Sequence, residues 1–243
     1  MPGGTVGAMQ PLLKVIGLLP WFDWAAVLVF FSAWLGYAQF ARRRAQTQAS
    51  ILASTNRIRR LWMLQATHRE VRVVDAVVMQ SLSSSPSFFA STTILIIGGL
   101  LAVLGTNDKA NELVRDIPFA AQTSVLVFEL KLLLMLAIFV YAFFRFTWSM
   151  RQYTFGALLV AAAPEAQQFI DGGLSREAFA DRAGRVIGMA AETFNDGLRA
   201  YYLAFAAIGW FFSPWVFVAA SLGVITVLYQ REFRSDVLAV LNS

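Results

Sequence analysis

Two charges stand inside an otherwise apolar run. Glu129 and Lys131 fall within Leu126–Gln152, LVFELKLLLMLAIFVYAFFRFTWSMRQ. On a helix, residues two apart point about 200° away from each other, so these two do not pair. One reading makes either of them the wall of a water-filled path for ions or protons, because charge inside a span is costly and usually functional. The other lets Lys131 snorkel to the headgroups while Glu129 meets water or a neighbouring helix. A second candidate is Ser81–Thr93, SLSSSPSFFASTT. Pro86 can open a helix and Ser87 can cap it. Free N–H groups and the dipole at such a start favour anions. The hydroxyls of Ser87, Ser91, Thr92 and Thr93 would then complete an anion site or pore lining. The same small residues also suit close helix packing in lipid.

Polar residues gather at two further places. Arg145, Arg151, Asn195, Asp196 and Arg199 would meet if the helices bearing them are neighbours, and Asp196 would then pair with Arg145 or Arg151. Arg42, Arg43 and Arg44 form a run that stops a span and contacts anionic lipid.

Other chemistries find no footing. The chain has no cysteine and one histidine, His68, so thiolate metal sites, covalent haem, iron–sulfur ligation and multi-histidine sites cannot be built within it. No metal and no cofactor is expected. No glycine-rich phosphate loop is present, and no trio of nucleophile, base and orienting group is legible, so an enzyme is not expected. The net charge of +5 reflects basic residues lying between apolar runs. It points to membrane orientation and lipid contact rather than to nucleic acid.

The elements that must position these residues are membrane helices. Of the 243 residues, 58% are hydrophobic and 14% charged, against about a quarter charged in ordinary soluble domains. The expected fold class is all-α, with four spans at about 21–40, 88–104, 126–146 and 200–229 in one membrane domain. Long helical connections cover about 42–86 and 147–199. The last span carries Pro214 at its middle, and a bend is expected near Trp210–Pro214. It could continue unbroken from Arg176 to Phe233. In the first connection, Leu61, Leu64, His68, Val71, Val74, Val78 and Leu82 recur at helical spacing, with Arg57, Arg69 and Arg72 projecting away. In the third, Phe179, Ala183, Val186, Ala190, Phe194 and Leu198 form an apolar stripe, opposite Glu177, Asp181, Arg185, Glu192, Asp196 and Arg199. Thirteen Lys and Arg lie in connections one and three, and five in the termini and connection two. The positive-inside rule therefore expects both termini outside the cytoplasm. The N-terminal stretch lacks a basic start and a cleavage site, and reads as retained.

The blocks SFFASTT (87–93), FTWSMRQ (146–152) and FNDGLRAYY (194–202) resemble those of a bacterial and plant membrane family, domain of unknown function family 599. The likeness runs from about Trp21 to Phe233. It implies a multi-pass membrane protein and carries no activity with it. On the residues, the expected function is an oligomeric small-ion channel or transporter of the bacterial inner membrane, with anions slightly preferred. A four-span protomer has little room for its own pore, so a homo-oligomer would form one at a symmetry axis. The competing expectation is a structural or accessory subunit that binds anionic lipid or other membrane subunits.

Overall fold

The computed structural model describes residues 19–45, 48–105, 125–173 and 175–242, and among these it is helical with no strand. The helices are α1 (Trp21–Arg44), α2 (Ile51–Ala66), α3 (Val73–Leu104), α4 (Val125–Ala161), α5 (Ala166–Asp171), α6 (Arg176–Ile208), α7 (Pro214–Phe233) and α8 (Asp236–Asn242). The all-α expectation holds. Four helical segments are long and apolar enough to cross a bilayer: α1, α3, α4 and the stretch Pro214–Asn242. Residues 106–124, most of the second connection, and 1–18 lie outside the described residues.

α3 and α4 are longer than a membrane requires. At 32 and 37 residues they extend roughly 48 and 55 Å, against a hydrocarbon layer of roughly 30 Å. Accordingly the chain has two main apolar cores. One holds Phe30, Ile138, Phe146, Leu203, Trp210 and Phe217. The second holds Met63, Met79, Tyr153, Phe169, Phe179 and Ile187, where α2, α5 and the first half of α6 gather around the overhanging ends of α3 and α4.

α6 is the axis of both cores. Its most extensive packing is against α4, then α2, then α7. Close approach depends on glycines. A Cβ on Gly184 would lie 2.9 Å from Arg60, one on Gly188 2.8 Å from Asn56, and one on Gly197 2.5 Å from the Phe146 ring. The stripe read in the sequence is buried at Phe179, Ala183 and Ala190. The face opposite it is not uniformly solvated, because α6 is surrounded. Asp196 and Arg199 are buried.

Three points of the chain's course depart from or add to the expectations. First, the last span is not one kinked helix over 200–229. α6 ends at Ile208, a 3-10 turn covers Gly209–Phe211, and Pro214 is the first residue of a new helix capped by Ser213, whose hydroxyl accepts from Val216 N–H at 3.1 Å. The chain reverses at this point. Tyr202 of α6 meets Arg231 of α7, and Gly209 sits against Val216. α1 is antiparallel to α6 (Asp23 with Trp210, Arg42 with Asp196) and parallel to α7 (Phe22 with Trp215, Phe40 with Phe233). The second half of α6 therefore runs the length of the bundle as a fifth segment. Proline at the first helical position costs nothing, since that N–H has no intrahelical partner.

Second, this reversal puts the C-terminus at the other end of the bundle from Trp21. α8 lies on α2, with Ser54 Oγ donating to Asn242 Oδ1 at 3.0 Å and Arg57 donating to Leu241 O at 3.2 Å. The expectation that both termini lie outside the cytoplasm concerns residues 1–18 as well, which lie outside the described residues, and it stays an expectation. Third, the stripe through His68 is not one helix. α2 stops at Ala66 and α3 starts at Val73; His68, Val71 and Val74 are exposed, while Met63, Asp75 and Met79 are buried. The arginines around this turn do not project away. Arg72 donates to Ala66 O, Ala163 O and Pro164 O, tying together the free carbonyls at the ends of α2 and α4. Arg69 pairs with Asp75 at 2.5 Å, and Trp62 Nε1 donates to the same oxygen at 2.7 Å. Arg59, on the second core, donates to Asn56 Oδ1 at 2.7 Å, and burial pushes its guanidinium below its ordinary pKa, against a smaller raising effect of Tyr153.

Candidate functional site

Asp196 collects three arginines. Its Oδ2 accepts from Arg42 at 2.9 Å and from Arg145, and its Oδ1 accepts from Arg199 at 3.1 Å. The carboxylate is 5% exposed, whereas Arg42 is 54% exposed. Glu192 approaches Arg42 Nε at 3.5 Å from the surface side. Arg42 comes from the last turn of α1, Arg145 from α4, and the other residues from α6. The Tyr37 ring stacks on Arg199 at 5.7 Å. Arg145 Nε is buried and has no hydrogen-bond partner among the described residues.

A cavity of about 460 Å³ opens beside this cluster, between α1 and α4. Its charged end is Arg42, Asp196 and Arg199. Its walls are Phe31, Trp34, Leu35, Leu134, Ile138 and Tyr141, running along both helices away from the charges. A second cavity of about 330 Å³, between α6, α7 and α2, reaches Arg199 from the other side.

The cluster lies where a membrane surface would lie. Arg42 is nineteen residues from Asp23 on α1, and Arg145 twenty from the start of α4, each roughly 30 Å along its helix. At the far end is a second polar layer. Lys131 is 4% exposed and donates to Trp210 O at 2.8 Å, while Trp210 Nε1 donates to Asp23 Oδ1 at 2.6 Å. The ammonium also sits 5.4 Å from the Trp210 ring centre. Lys131 thus closes the carbonyl end of the α6 hairpin, where a cation is favoured by the helix dipole. It is turned inward and does not snorkel outward. Glu129 is half-buried and makes no ion pair with another described residue.

The hydroxyl run is not a helix start. α3 passes through Pro86 without interruption, and Pro86 is buried inside it. The N–H donors that an anion site would need are therefore already used in the helix, and the true start is at Val73. Thr92 Oγ1 donates to Phe88 O at 3.0 Å; Thr93 Oγ1 donates to Phe89 O at 2.5 Å and lies 2.6 Å from the Tyr201 hydroxyl. Ser91 is exposed and Ser87 half-buried, and neither faces a second helix's polar group among the described residues.

Of the five residues read as one polar cluster, the fold brings together Arg145, Asp196 and Arg199. Arg151 is exposed and apart, and Asn195 lines the second cavity. Arg42, read with Arg43 and Arg44 as lipid contact, also belongs to the cluster. Arg43 and Arg44 stay at the surface, with Arg44 donating to Gln48 at 2.5 Å. Trp34 and Tyr141 of the cleft, and Asp23 of the far layer, had no local signal. Their partners lie far away in sequence.

No curated protein and no solved structure matches the chain. The family model described as "Protein of unknown function, DUF599" matches residues 25–237. With its blocks, its membrane-length helices and this match over most of its length in agreement, the chain belongs to that family.

Proposed function

We propose that this protein is a membrane-embedded binding subunit that holds an anionic amphiphile in the cleft between α1 and α4. The observation that carries the reading is the cluster itself: three guanidiniums share one buried carboxylate at the mouth of an aliphatic and aromatic cleft. Arginine forks bind oxyanions in two-point fashion, and the walls suit an acyl or alkyl chain. The depth of the cluster matches headgroups. At mid-depth the bundle is filled by apolar side chains, with Phe30, Ile138, Leu203 and Phe217 buried in one core and the Phe30 and Phe217 rings in contact. Lys131, the best intramembrane charge for an ion path, is committed to Trp210. These features support a binding protein more than a channel within one protomer.

The test is native mass spectrometry of delipidated protein titrated with phosphatidylglycerol and phosphatidylcholine. Phosphatidylglycerol should bind at least tenfold more tightly, and Arg42→Gln should remove most of that preference while Arg185→Gln leaves it intact. Equal binding of the two lipids would sink the reading. The channel reading keeps one supporting observation, the exposed hydroxyls of Ser81, Ser84 and Ser91 on the outward face of α3, which would line a pore between copies. Anion-selective flux in liposomes would favour it.

A further inference from the structure

We infer that the outward face of α3 is a docking surface for α3 of a second copy of this chain, inserted in the same orientation. The inference stands apart from the cleft between α1 and α4 and uses none of its residues. α3 packs extensively on α4 alone. Met79, Pro86 and Thr93, spaced by seven, are buried on its inner side. The outward side repeats at seven as well. Val77, Ser84, Ser91 and Gly98 form one exposed row. Val74, Ser81, Phe88 and Leu95 form the next, also exposed and offset by three and four residues. Such a repeat is what a parallel partner helix, crossing at about 20°, keeps in contact along its whole length.

Lipid cannot be the occupant of this whole face. Phe89 stacks on Phe146, next to Arg145 of the charged cluster, so this level of α3 lies at the membrane surface. Val77 and Val74 come twelve and fifteen residues before Phe89, roughly 18 and 22 Å further out. That is beyond a headgroup layer of roughly 5–8 Å. With Val71, Val73 and Val78 they leave an exposed apolar patch in water, the mark of an interaction surface. The patch continues without a break into Phe88 and Leu95 of the span, 66% and 75% exposed.

The face also states what it fits. Asp75 is the single ionisable residue of α3, and it is fully buried. A charged partner surface finds nothing to pair with there, whereas a face equally free of charge matches it. α3 of another copy is such a face, at the same depth and of the same length. Bulk alternates along it. Phe88 and Leu95 are separated by Ser91 and bounded by Ser84 and Gly98, and a Cβ added at Gly98 meets nothing within 4 Å. Small layers let two backbones approach while the bulky layers meet across the seam. A strip roughly 48 Å long and about 10 Å wide is about 500 Å² on each copy. The pair then buries about 1,000 Å² in all, the size a specific interface must reach. A seam closed in this way holds the serine hydroxyls between the helices and not along a water path.

The test uses the full chain, which has no native cysteine, in native membranes. Ser84→Cys and Ser91→Cys are made singly and oxidised, since a disulfide forms only where the two Cα atoms come within about 7 Å. Each should give a band of twice the chain's mass from more than half of the protein. Phe144→Cys, exposed on α4 at the depth of Ser91, should give at least fivefold less. Val77→Glu, added to either cysteine variant, sets two like charges face to face in the water-side layer. It should lower the crosslinked fraction at least fivefold, with thermal unfolding showing that the protomer stays folded. No double-mass band from Ser84→Cys and Ser91→Cys, or as much of it from Phe144→Cys, would overturn the pairing. An adduct of any other mass would overturn the second copy as the occupant, in favour of a different membrane protein. Crosslinking that Val77→Glu leaves unchanged in folded protein would overturn the extension of the seam into water.

Discussion

Replacing Lys131 with methionine should cost about 2–4 kcal/mol of stability. The ammonium donates to Trp210 O and lies against the Trp210 and Phe211 rings. A hydrogen bond from a charged donor contributes about 1.5–3 kcal/mol, and a desolvated cation over aromatic faces about 0.5–2 kcal/mol. Methionine keeps most of the apolar stem and removes the cost of burying a charge, which offsets part of the loss. It also removes the positive charge that attracts the Asp23 carboxylate across the layer, which holds the Trp210 N–H in either case. For a chain of this size about 1 kcal/mol moves Tm by about 2–4 °C, so Lys131→Met should lower Tm by about 5–15 °C on that scale. The assay is thermal unfolding in detergent followed by tryptophan fluorescence, since Trp210 reports on the site directly. Adding Asp23→Asn to Lys131→Met should recover part of the loss, because the carboxylate that lost its cation is gone. Glu129→Gln, two residues away, should shift Tm by less than about 2 °C. A Lys131→Met protein as stable as the parent would refute the argument that this lysine closes the hairpin. It would return Lys131 to the ion-path reading, and flux measurements would then be the next step.

Other outcomes follow from the same geometry. Asp196→Asn should destabilise by about 3–5 kcal/mol, because it leaves three guanidiniums facing one another; thermal unfolding checks this, and Asp196→Asn with Arg145→Gln should be less damaged than Asp196→Asn alone. Gly197→Ala should cost about 1–3 kcal/mol by overpacking, since the new methyl would meet the Phe146 ring; the same change at Gly36, which faces open space, should be close to neutral. The chain has no native cysteine, so single cysteines report topology cleanly: Asn242→Cys and Val71→Cys should react with an impermeant maleimide from one face, and Phe212→Cys from the other. Labelling of positions 212 and 242 from the same face would contradict the hairpin. Ser87→Ala, Ser91→Ala and Thr92→Ala should each leave stability within about 0.5 kcal/mol, as their hydroxyls hold no second helix in place.

The sequence by itself determined the membrane class, the helical class and the places where long apolar runs lie. Run length against bilayer thickness is a local property. The stripe on α6 was equally legible, because helical spacing shows wherever one face packs. Pro214 was not decidable. A proline that kinks one helix and a proline that opens the next look alike in sequence, and the choice depends on α7 finding α1 to pack against. The same holds for Pro86, where a helix start was plausible locally and the packing of α3 along α4 carried the helix through. Charged residues were found by type but not by role. Lys131 and Trp210 are 79 residues apart, and Arg42 and Asp196 are 154 apart. Whether such a side chain snorkels, lines a path or closes a helix end is decided by which distant group reaches it when the bundle forms. Asp196 fell on the face that looked solvated, and it is the approach of Arg42 from α1 and Arg145 from α4 that covers it. Tertiary structure therefore chose the partners, and with them the site: an excess of arginine over carboxylate beside a cleft that no stretch of the chain spells out alone.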